Sequence, residues 1–494
     1  MRWVLKFAAG ALLSTSTVAG PVLDSTNKRY VEKRDGVNYH VFEHASTKSK
    51  LSFVKNSGIC ETTPGVNQYS GYLTVNESMN MWFWVFEARE NPQTAPLVAY
   101  VDGGPGTASE YGLFTQIGPC HFVKNETTPS LNPFAFNNYA NMLFIDQPSG
   151  VGFSYGNTTV NSTEAAAPVV WSLIQAFYDG FPEYENRDFG LFSESYGGHY
   201  APEFARYIIA QNDAIARGDI QGKQINMRAV GIHNGWFDAT IQERSNIEYA
   251  YNNSYGQFLN ESFHDDLVEL YDVKIKPALD NCTSNGTTDA CYTAWQSYTT
   301  EIEQPIITAM REKSPDLYLG DIRDPFSRAP ATHVTYLQRP EIQKALGARV
   351  NYTDQGGASG FYYSGDGRGC PIVKLHASYA NYNLDARPFL GSLSDVVQAG
   401  VRVLIWSGDA DYVSNWAGTL EVADTVDWHG REAFSSQKLE PYTLNGVEKG
   451  TFKSLDNLIF MRIYEAGHNL PFYQPEVSLQ IFKQTMGMGN IVPT

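Results

Sequence analysis

The stretch Asp188-Phe-Gly-Leu-Phe-Ser-Glu-Ser195-Tyr-Gly-Gly-His-Tyr200 reads as a short apolar strand, a small-residue turn and the start of a helix. Ser193-Glu194-Ser195-Tyr196-Gly197 is one substitution from the G-x-S-x-G nucleophile elbow, in which a serine on a sharp strand-to-helix turn lifts its hydroxyl above a sheet. Small residues are needed two places either side of the serine because strand and helix pass very close there. Ser193 stands where the first glycine is usual, and it is still small. A Ser/Gly-rich loop is the plainer reading of five residues, so partners elsewhere in the chain have to decide.

An activated serine needs a base, a group that orients the base, and donors for an oxyanion. On a strand-turn-helix scaffold of this kind the order is serine, then acid, then histidine. Val401-Arg-Val-Leu-Ile-Trp406 reads as a buried strand and empties into Ser407-Gly-Asp409-Ala-Asp411, an acid at a strand end. Asn457–Tyr464 is a further strand, followed by Glu465-Ala-Gly467-His468-Asn469, a histidine in the next turn. Upstream, Leu97–Val101 is a strand ending in Asp102-Gly103-Gly104-Pro105-Gly106, a loop whose backbone N–H groups are placed to face an oxyanion. Taken singly, each piece has an ordinary reading as a structural histidine, an Asp-rich turn or a Gly-Pro turn. Their joint occurrence in the required order is what carries weight.

Gly103–Gly106, Asp146-Gln-Pro-Ser-Gly150-Val-Gly-Phe-Ser-Tyr155, Glu194–Gly198, Gly408-Asp409-Ala410-Asp411 and Ala466-Gly467-His468 together resemble the serine carboxypeptidases, α/β-hydrolases that remove C-terminal residues from peptides. The resemblance runs from about Tyr72 to the C-terminus and includes Asp321-Ile-Arg323 and Tyr336–Leu346; Gly118-Pro119-Cys120 is most similar to the fungal secreted branch. It implies Ser195 as nucleophile, His468 as base and Asp411 as the acid, with Asp409 as its rival in the same turn. It implies an oxyanion hole from the N–H groups of Gly104 and Tyr196. Recognition of the substrate's free carboxylate falls by position on Asp102, Gly103 and Glu194, the leaving-residue pocket on Tyr111, Thr115 and Gln116, and Tyr196 also borders the acyl-side pocket. Asp102 departs from the family, which has asparagine there. An acid donates a hydrogen bond only when protonated, so a carboxyl pair of Asp102 and Glu194 predicts carboxylate binding that requires a proton, and an acidic optimum. That optimum also requires a neutral His468, whose reference pKa near 6.5 would have to be depressed by burial.

Arg2 and Lys6, the apolar run Phe7–Leu13 and Thr17-Val-Ala19-Gly20 form a secretory signal over residues 1–19, too short for a membrane span. No later run reaches membrane-spanning length, so a soluble mature protein without a membrane anchor is expected, secreted or delivered to a vacuole. Residues 20–34 carry Lys28-Arg29 and Lys33-Arg34 and read as a propeptide or a solvated polar tail. Of 494 residues, 43% are hydrophobic and 18% charged, ordinary values for a large buried core, and the net charge of −17 argues against nucleic acid or an anionic membrane as partner. The expected partners are peptide and protein C-termini. Nine sequons, at Asn76, Asn125, Asn157, Asn161, Asn252, Asn260, Asn281, Asn285 and Asn351, suit a glycosylated surface. Five cysteines allow two disulfides. The simplest pairing is a small exposed clip Cys282–Cys291, then Cys60–Cys120, leaving Cys370 free. None has zinc-ligand spacing, and neither metal nor cofactor is expected.

Strands Tyr69–Val75, Met81–Glu87, Leu97–Val101 and Asn141–Ile145, followed by helical spacing over Ala165–Gly180, predict a mostly parallel central sheet with helices on both faces. The rhythm is lost over 236–331, where helix-like segments such as Phe263–Tyr271 and Trp295–Arg311 predict a helical cap inserted into a core of 35–235 and 332–494. Scaffold and triad do not by themselves fix the acyl acceptor, so an esterase or acyltransferase on this fold is the alternative. A non-catalytic secreted glycoprotein is a third reading, opposed by the complete triad.

Overall fold

A computed structural model of the protein describes residues 27–45, 49–76, 79–123, 126–156, 160, 162–285, 288–323, 328–354 and 387–494, and their side chains except at 75–76, 284–285 and 288–289. The signal segment, Cys370, Asn125, Asn157 and Asn161 lie outside the described residues, and so do the side chains of Asn76 and Asn285.

The core is a 14-stranded sheet. Its strands are β1 (Lys28–Arg34), β2 (Val37–Glu43), β3 (Lys50–Lys55), β4 (Gln68–Asn76), β5 (Met79–Phe86), β6 (Leu97–Val101), β7 (Asn141–Ile145), β8 (Phe189–Glu194), β9 (Met227–His233), β10 (Arg402–Gly408), β11 (Glu440–Leu444), β12 (Val447–Leu455) and β13 (Leu458–Ile463). They are ordered β1-β2-β3-β4-β5-β7-β6-β8-β9-β10-β13-β12-β11, with Tyr155–Gly156 pairing beside β5. The sheet is mixed: the middle, from β7 through β13, is parallel, and both flanks are antiparallel hairpins. The parallel strands β6, β7, β8 and β10 are buried at every position. A parallel strand covered by helices on both faces needs such an unbroken apolar run.

β8 is central to this arrangement, with β6 on one side and β9 on the other. Helix α1 (Thr163–Gly180), capped by Ser162 Oγ accepting from the Ala165 N–H, precedes it. Helix α2 (Gly197–Arg217) leaves the turn that follows it and ends on Gly218 in the left-handed conformation. One hydrophobic cluster joins sheet and helices and includes Tyr336, Leu337, Ile342 and Leu346.

A second cluster belongs to the helices between 239 and 313 and the segment up to Ile322, with Tyr412 reaching in from the sheet side. These helices are α3 (Ala239–Tyr251), Glu261–Leu270, Lys276–Asn285, Thr288–Tyr298 and Gln304–Lys313. Two expectations are corrected. Residues 28–34 are not a polar tail: they form β1, paired with β2 over its whole length, and Arg29 donates to the carbonyls of Asp179 and Gly180 at 2.9 Å. Backbone pairing holds a strand whose side chains are largely exposed. The disulfides pair as expected, Cys60–Cys120 and Cys282–Cys291, but the second is no exposed clip. Both of its cysteines are fully buried, joining two helices inside the second cluster.

Candidate active site

Ser195 follows β8 directly and has φ +58°, the left-handed region that non-glycine residues avoid without a constraint around them. The constraint is visible. Its N–H donates to the His233 carbonyl at 3.1 Å, and its own carbonyl accepts from Trp236 at 2.7 Å and Gly198 at 2.9 Å. Ser193 donates its hydroxyl to the Val101 carbonyl. A Cβ on Gly197 would lie 2.5 Å from Ser193 Cβ, so the turn admits only small residues at both places. Gly103 is equally crowded: a Cβ there would lie 2.8 Å from Tyr196 N and 3.1 Å from Ser195 Cβ. Its bare backbone therefore sets the Gly103–Gly104 loop against the elbow, where α2 begins.

The acid and the histidine come from neighbouring parallel strands, β10 and β13. His468 Nδ1 lies 2.7 Å from Asp411 Oδ2. Asp411 also accepts from Asn234 Nδ2 at 2.9 Å and from the N–H groups of Val413 and Ser414. Asp409 faces elsewhere, to Arg462 Nη2 at 3.1 Å and to the Tyr255 hydroxyl. The His468 N–H donates to the Gly320 carbonyl at 2.6 Å, and Tyr412 N–H to that of Leu319 at 2.9 Å. Segment 319–322 thus ties both loops to the second cluster.

The carboxyl pair is buried on the other side of the elbow. Asp102 accepts from the N–H groups of Gly103 and Gly112, each at 2.9 Å, and from the Tyr100 hydroxyl at 3.3 Å. Glu194 Oε1 accepts from Asn469 Nδ2 at 2.7 Å, and Oε2 from Gln116 Nε2. His233 Nε2 is 2.8 Å from Gln116 Oε1 and 3.4 Å from Glu194 Oε2, while His468 Nε2 is 3.9 Å from Glu194 Oε1. Burial, then the charge of Glu194, holds the Asp102 carboxyl well above the usual aspartate range. Burial also acts to raise Glu194, but the hydrogen bond and charge of His233, with His468 and Gln116, outweigh it and leave Glu194 below its usual range.

His468 does not follow the expectation of a depressed pKa. Burial pulls it down, but the charge and hydrogen bond of Asp411, then the charges of Glu194 and Asp102, push it up to about 9. Carboxylates on several sides stabilise the imidazolium more than desolvation penalises it.

Of the residues expected at the leaving-residue pocket, Tyr111 donates its hydroxyl to Asn469 Oδ1 at 2.9 Å and Thr115 donates to the Tyr111 carbonyl at 2.6 Å. Gln116 is buried, with its amide hydrogen-bonded to Glu194 and His233. Sequence reasoning missed Asn234, His233 and Asn469. A signal existed: His233-Asn234 ends the strand beside the nucleophile strand, and the C-terminal edge of a parallel sheet is where ligands bind. Beneath the glycine loop sits a second buried carboxyl pair. Asp146 accepts from the N–H groups of Ser109 and Phe153, each at 2.9 Å, and Glu110 accepts from Trp82 Nε1 at 2.7 Å. Among the described residues no group of three or more His, Cys, Asp or Glu side chains is placed to hold a metal ion.

The serine carboxypeptidase family profile matches residues 58–487. The chain is 52% identical over 444 residues to carboxypeptidase S1 of Penicillium janthinellum, covering 90% of this chain and all of that one. It is 32% identical over 462 residues to carboxypeptidase Y of Schizosaccharomyces pombe, covering 91% of this chain and 44% of that one. Among solved structures, Kex1, a prohormone-processing carboxypeptidase from Saccharomyces cerevisiae, superimposes with a TM-score of 0.70 at 20% identity, covering 89% of this chain and 95% of that one. At that identity the match speaks for the shared α/β-hydrolase fold.

Proposed function

The chain belongs to the serine carboxypeptidase family, and from that premise we propose that Ser195, His468 and Asp411 carry out its peptide hydrolysis. Ser195 Oγ attacks the scissile carbonyl while His468 Nε2 takes its proton. Asp411 Oδ2 accepts from Nδ1–H, which fixes the tautomer that leaves Nε2 free to act and balances the imidazolium. The N–H groups of Gly104 and Tyr196 bind the oxyanion; loss of one such donor costs roughly 2.7–4 kcal/mol where measured in another protease. His468 then protonates the departing amino group, and water releases the acyl group from Ser195 by the reverse roles.

The observation that supports this assignment is the 2.7 Å contact of His468 with Asp411, from loops that adjoin the elbow. Exopeptidase selectivity is assigned to Asp102, Gly103 and Glu194, whose groups adjoin Ser195. A substrate carboxylate entering beside two carboxyls requires at least one proton on the pair. His468 must meanwhile be neutral, and its neighbours favour the cation. The two demands are linked, because a proton on Asp102 removes one of the charges that hold the imidazolium. The need for a neutral His468 moves the optimum upward from the acid value expected of the carboxyl pair alone, and the proton on Asp102 limits that move. Peptides ending in a neutral amide should show a flatter KM profile.

We assign the chain to the secretory pathway, secreted or vacuolar. Two disulfides support this, as does the exposure of Asn252, Asn260, Asn281 and Asn351, the sequon asparagines whose side chains are described. Among the described residues no helix is long and apolar enough to cross a membrane. The helices of 236–331 are assigned as a cap over the strand ends. The deciding assay is release of the C-terminal residue from blocked dipeptides by the purified protein, compared with Ser195→Ala; equal release by both would overturn the reading.

A further inference from the structure

Glu194 is held by groups that the mechanism above leaves without a role. Gln116 donates to its Oε2, His233 Nε2 stands behind Gln116 at 2.8 Å from Oε1, and Asn469 donates to Glu194 Oε1. All four side chains are buried. His233 is fixed twice over to the elbow: its Cα is the strand partner of Glu194, and its carbonyl accepts the Ser195 N–H.

The polarity of this chain of bonds follows from what each group can do. An ionised carboxylate only accepts hydrogen bonds. Gln116 must then turn its NH2 to Glu194 and its carbonyl to His233, and His233 must carry hydrogen on Nε2 to complete the contact. A proton on Glu194 Oε1 would meet the Asn469 NH2 that donates there, and a proton on Oε2 would require the Gln116 amide to reverse to accept it. Its NH2 would then meet His233 Nε2, and the histidine would have to change tautomer. A His233 Nε2–H therefore favours the anion at Glu194 through two bonds, and at 3.4 Å from Glu194 Oε2 it also acts on that carboxylate directly. The other groups facing Glu194 are His468 at 3.9 Å, the carboxyl of Asp102 and, at longer range, the phenols of Tyr100, Tyr111 and Tyr318. Among the described residues the hydrogen bonds that Asp102 accepts come from two N–H groups and a phenol, none of them cationic.

The geometry points to His233 as a positioning residue that, acting through Gln116 and across its direct 3.4 Å contact, keeps Glu194 ionised and so leaves on Asp102 the proton that donates to the substrate's C-terminal carboxylate. This rests on the carboxylate-recognition role given above to the Asp102–Glu194 pair. His233 itself touches no reacting atom.

The test is the pH dependence of KM for a blocked dipeptide with a free C-terminus, set beside its ester analogue, which lacks that carboxylate. In the wild-type protein KM for the acid should climb about tenfold per pH unit above the upper ionisation of the pair, as a one-proton requirement demands. Asp102→Asn should abolish the climb, since an amide donates without a proton. In a His233→Leu background the same Asp102→Asn change should fail to abolish it, because the proton has moved to Glu194. His233→Gln, which retains an N–H for Gln116, should restore the wild-type response. Should His233→Leu not fold, judged by loss of ester turnover, Gln116→Met removes the relayed contact and leaves the direct one, so Asp102→Asn should then abolish the climb only in part. A climb that survives Asp102→Asn in the wild-type background overturns the inference. So does an identical effect of Asp102→Asn with and without His233, or no climb in the wild type. Failure of the underlying reading looks different: no C-terminal residue is released by the wild type at any pH.

Discussion

Asp411 Oδ2 lies 2.7 Å from His468 Nδ1, whereas Asp409, two residues earlier in the same turn, pairs with Arg462 at 3.1 Å and never meets the imidazole. Asp411→Asn would place an amide where an acceptor is needed, turn His468 to the wrong tautomer and lower kcat by about 10⁴, as in the serine-protease precedent. Asp409→Asn should leave kcat within about tenfold, its damage being confined to the Arg462 and Tyr255 contacts. Steady-state kinetics of the two variants rank the acids, and the reverse order would unseat Asp411.

A phosphonofluoridate should label Ser195 alone. Ser193 is occupied with the Val101 carbonyl and Ser407 is buried within β10. Peptide mapping of the labelled protein locates the adduct, and modification of Ser193 or Ser407 would displace the elbow assignment. Ser195→Ala should fold as the wild type does and turn nothing over. A chelator should leave activity unchanged.

His468, pushed up to about 9, is an imidazolium below that value and an available base above it. For an ester substrate without a free carboxylate, kcat/KM should therefore rise with pH along the His468 ionisation. Glu194→Gln removes a negative neighbour that stabilises the cation. The rising limb should move to lower pH by up to about three units, the order expected of one charge about 4 Å away at an effective dielectric near 20. An unmoved limb would show that Glu194 does not act on the base.

The buried pair beneath the glycine loop makes stability depend on pH. Burial pushes Asp146 up to about 6, and burial with the charge of Asp146 holds Glu110 well above its usual range. Between the unfolded and folded values the native state holds protons that the unfolded chain has released. Stability is then full below the unfolded pKa and declines as pH rises, with a slope of at most about 1.4 kcal/mol per pH unit for each group. Glu110→Gln keeps an acceptor for Trp82 Nε1 and removes one titrating group, so its urea midpoint should fall less steeply from pH 4 to 8. Parallel curves for variant and wild type would refute the pair's part in it.

The sequence by itself determined the elements whose physics is local. β6 and β7 match their sequence limits end to end, because a fully buried parallel strand must be an unbroken apolar run between polar turns. The elbow was legible from small residues around Ser195, since a close strand-to-helix pass excludes any Cβ at Gly197. What only tertiary structure decided are choices between chemically equal candidates. Asp409 and Asp411 are alike as side chains, and Asn234 from the next strand and Arg462 from β13 tell them apart. The exposed, charged β1 carries no hydrophobic pattern, and it is a strand because β2 pairs with its backbone. The Glu194 relay was unreadable for a related reason. Gln116, His233 and Asn469 are far apart in the chain, and hydrogen bonds between buried groups depend on positions in space that no local pattern records.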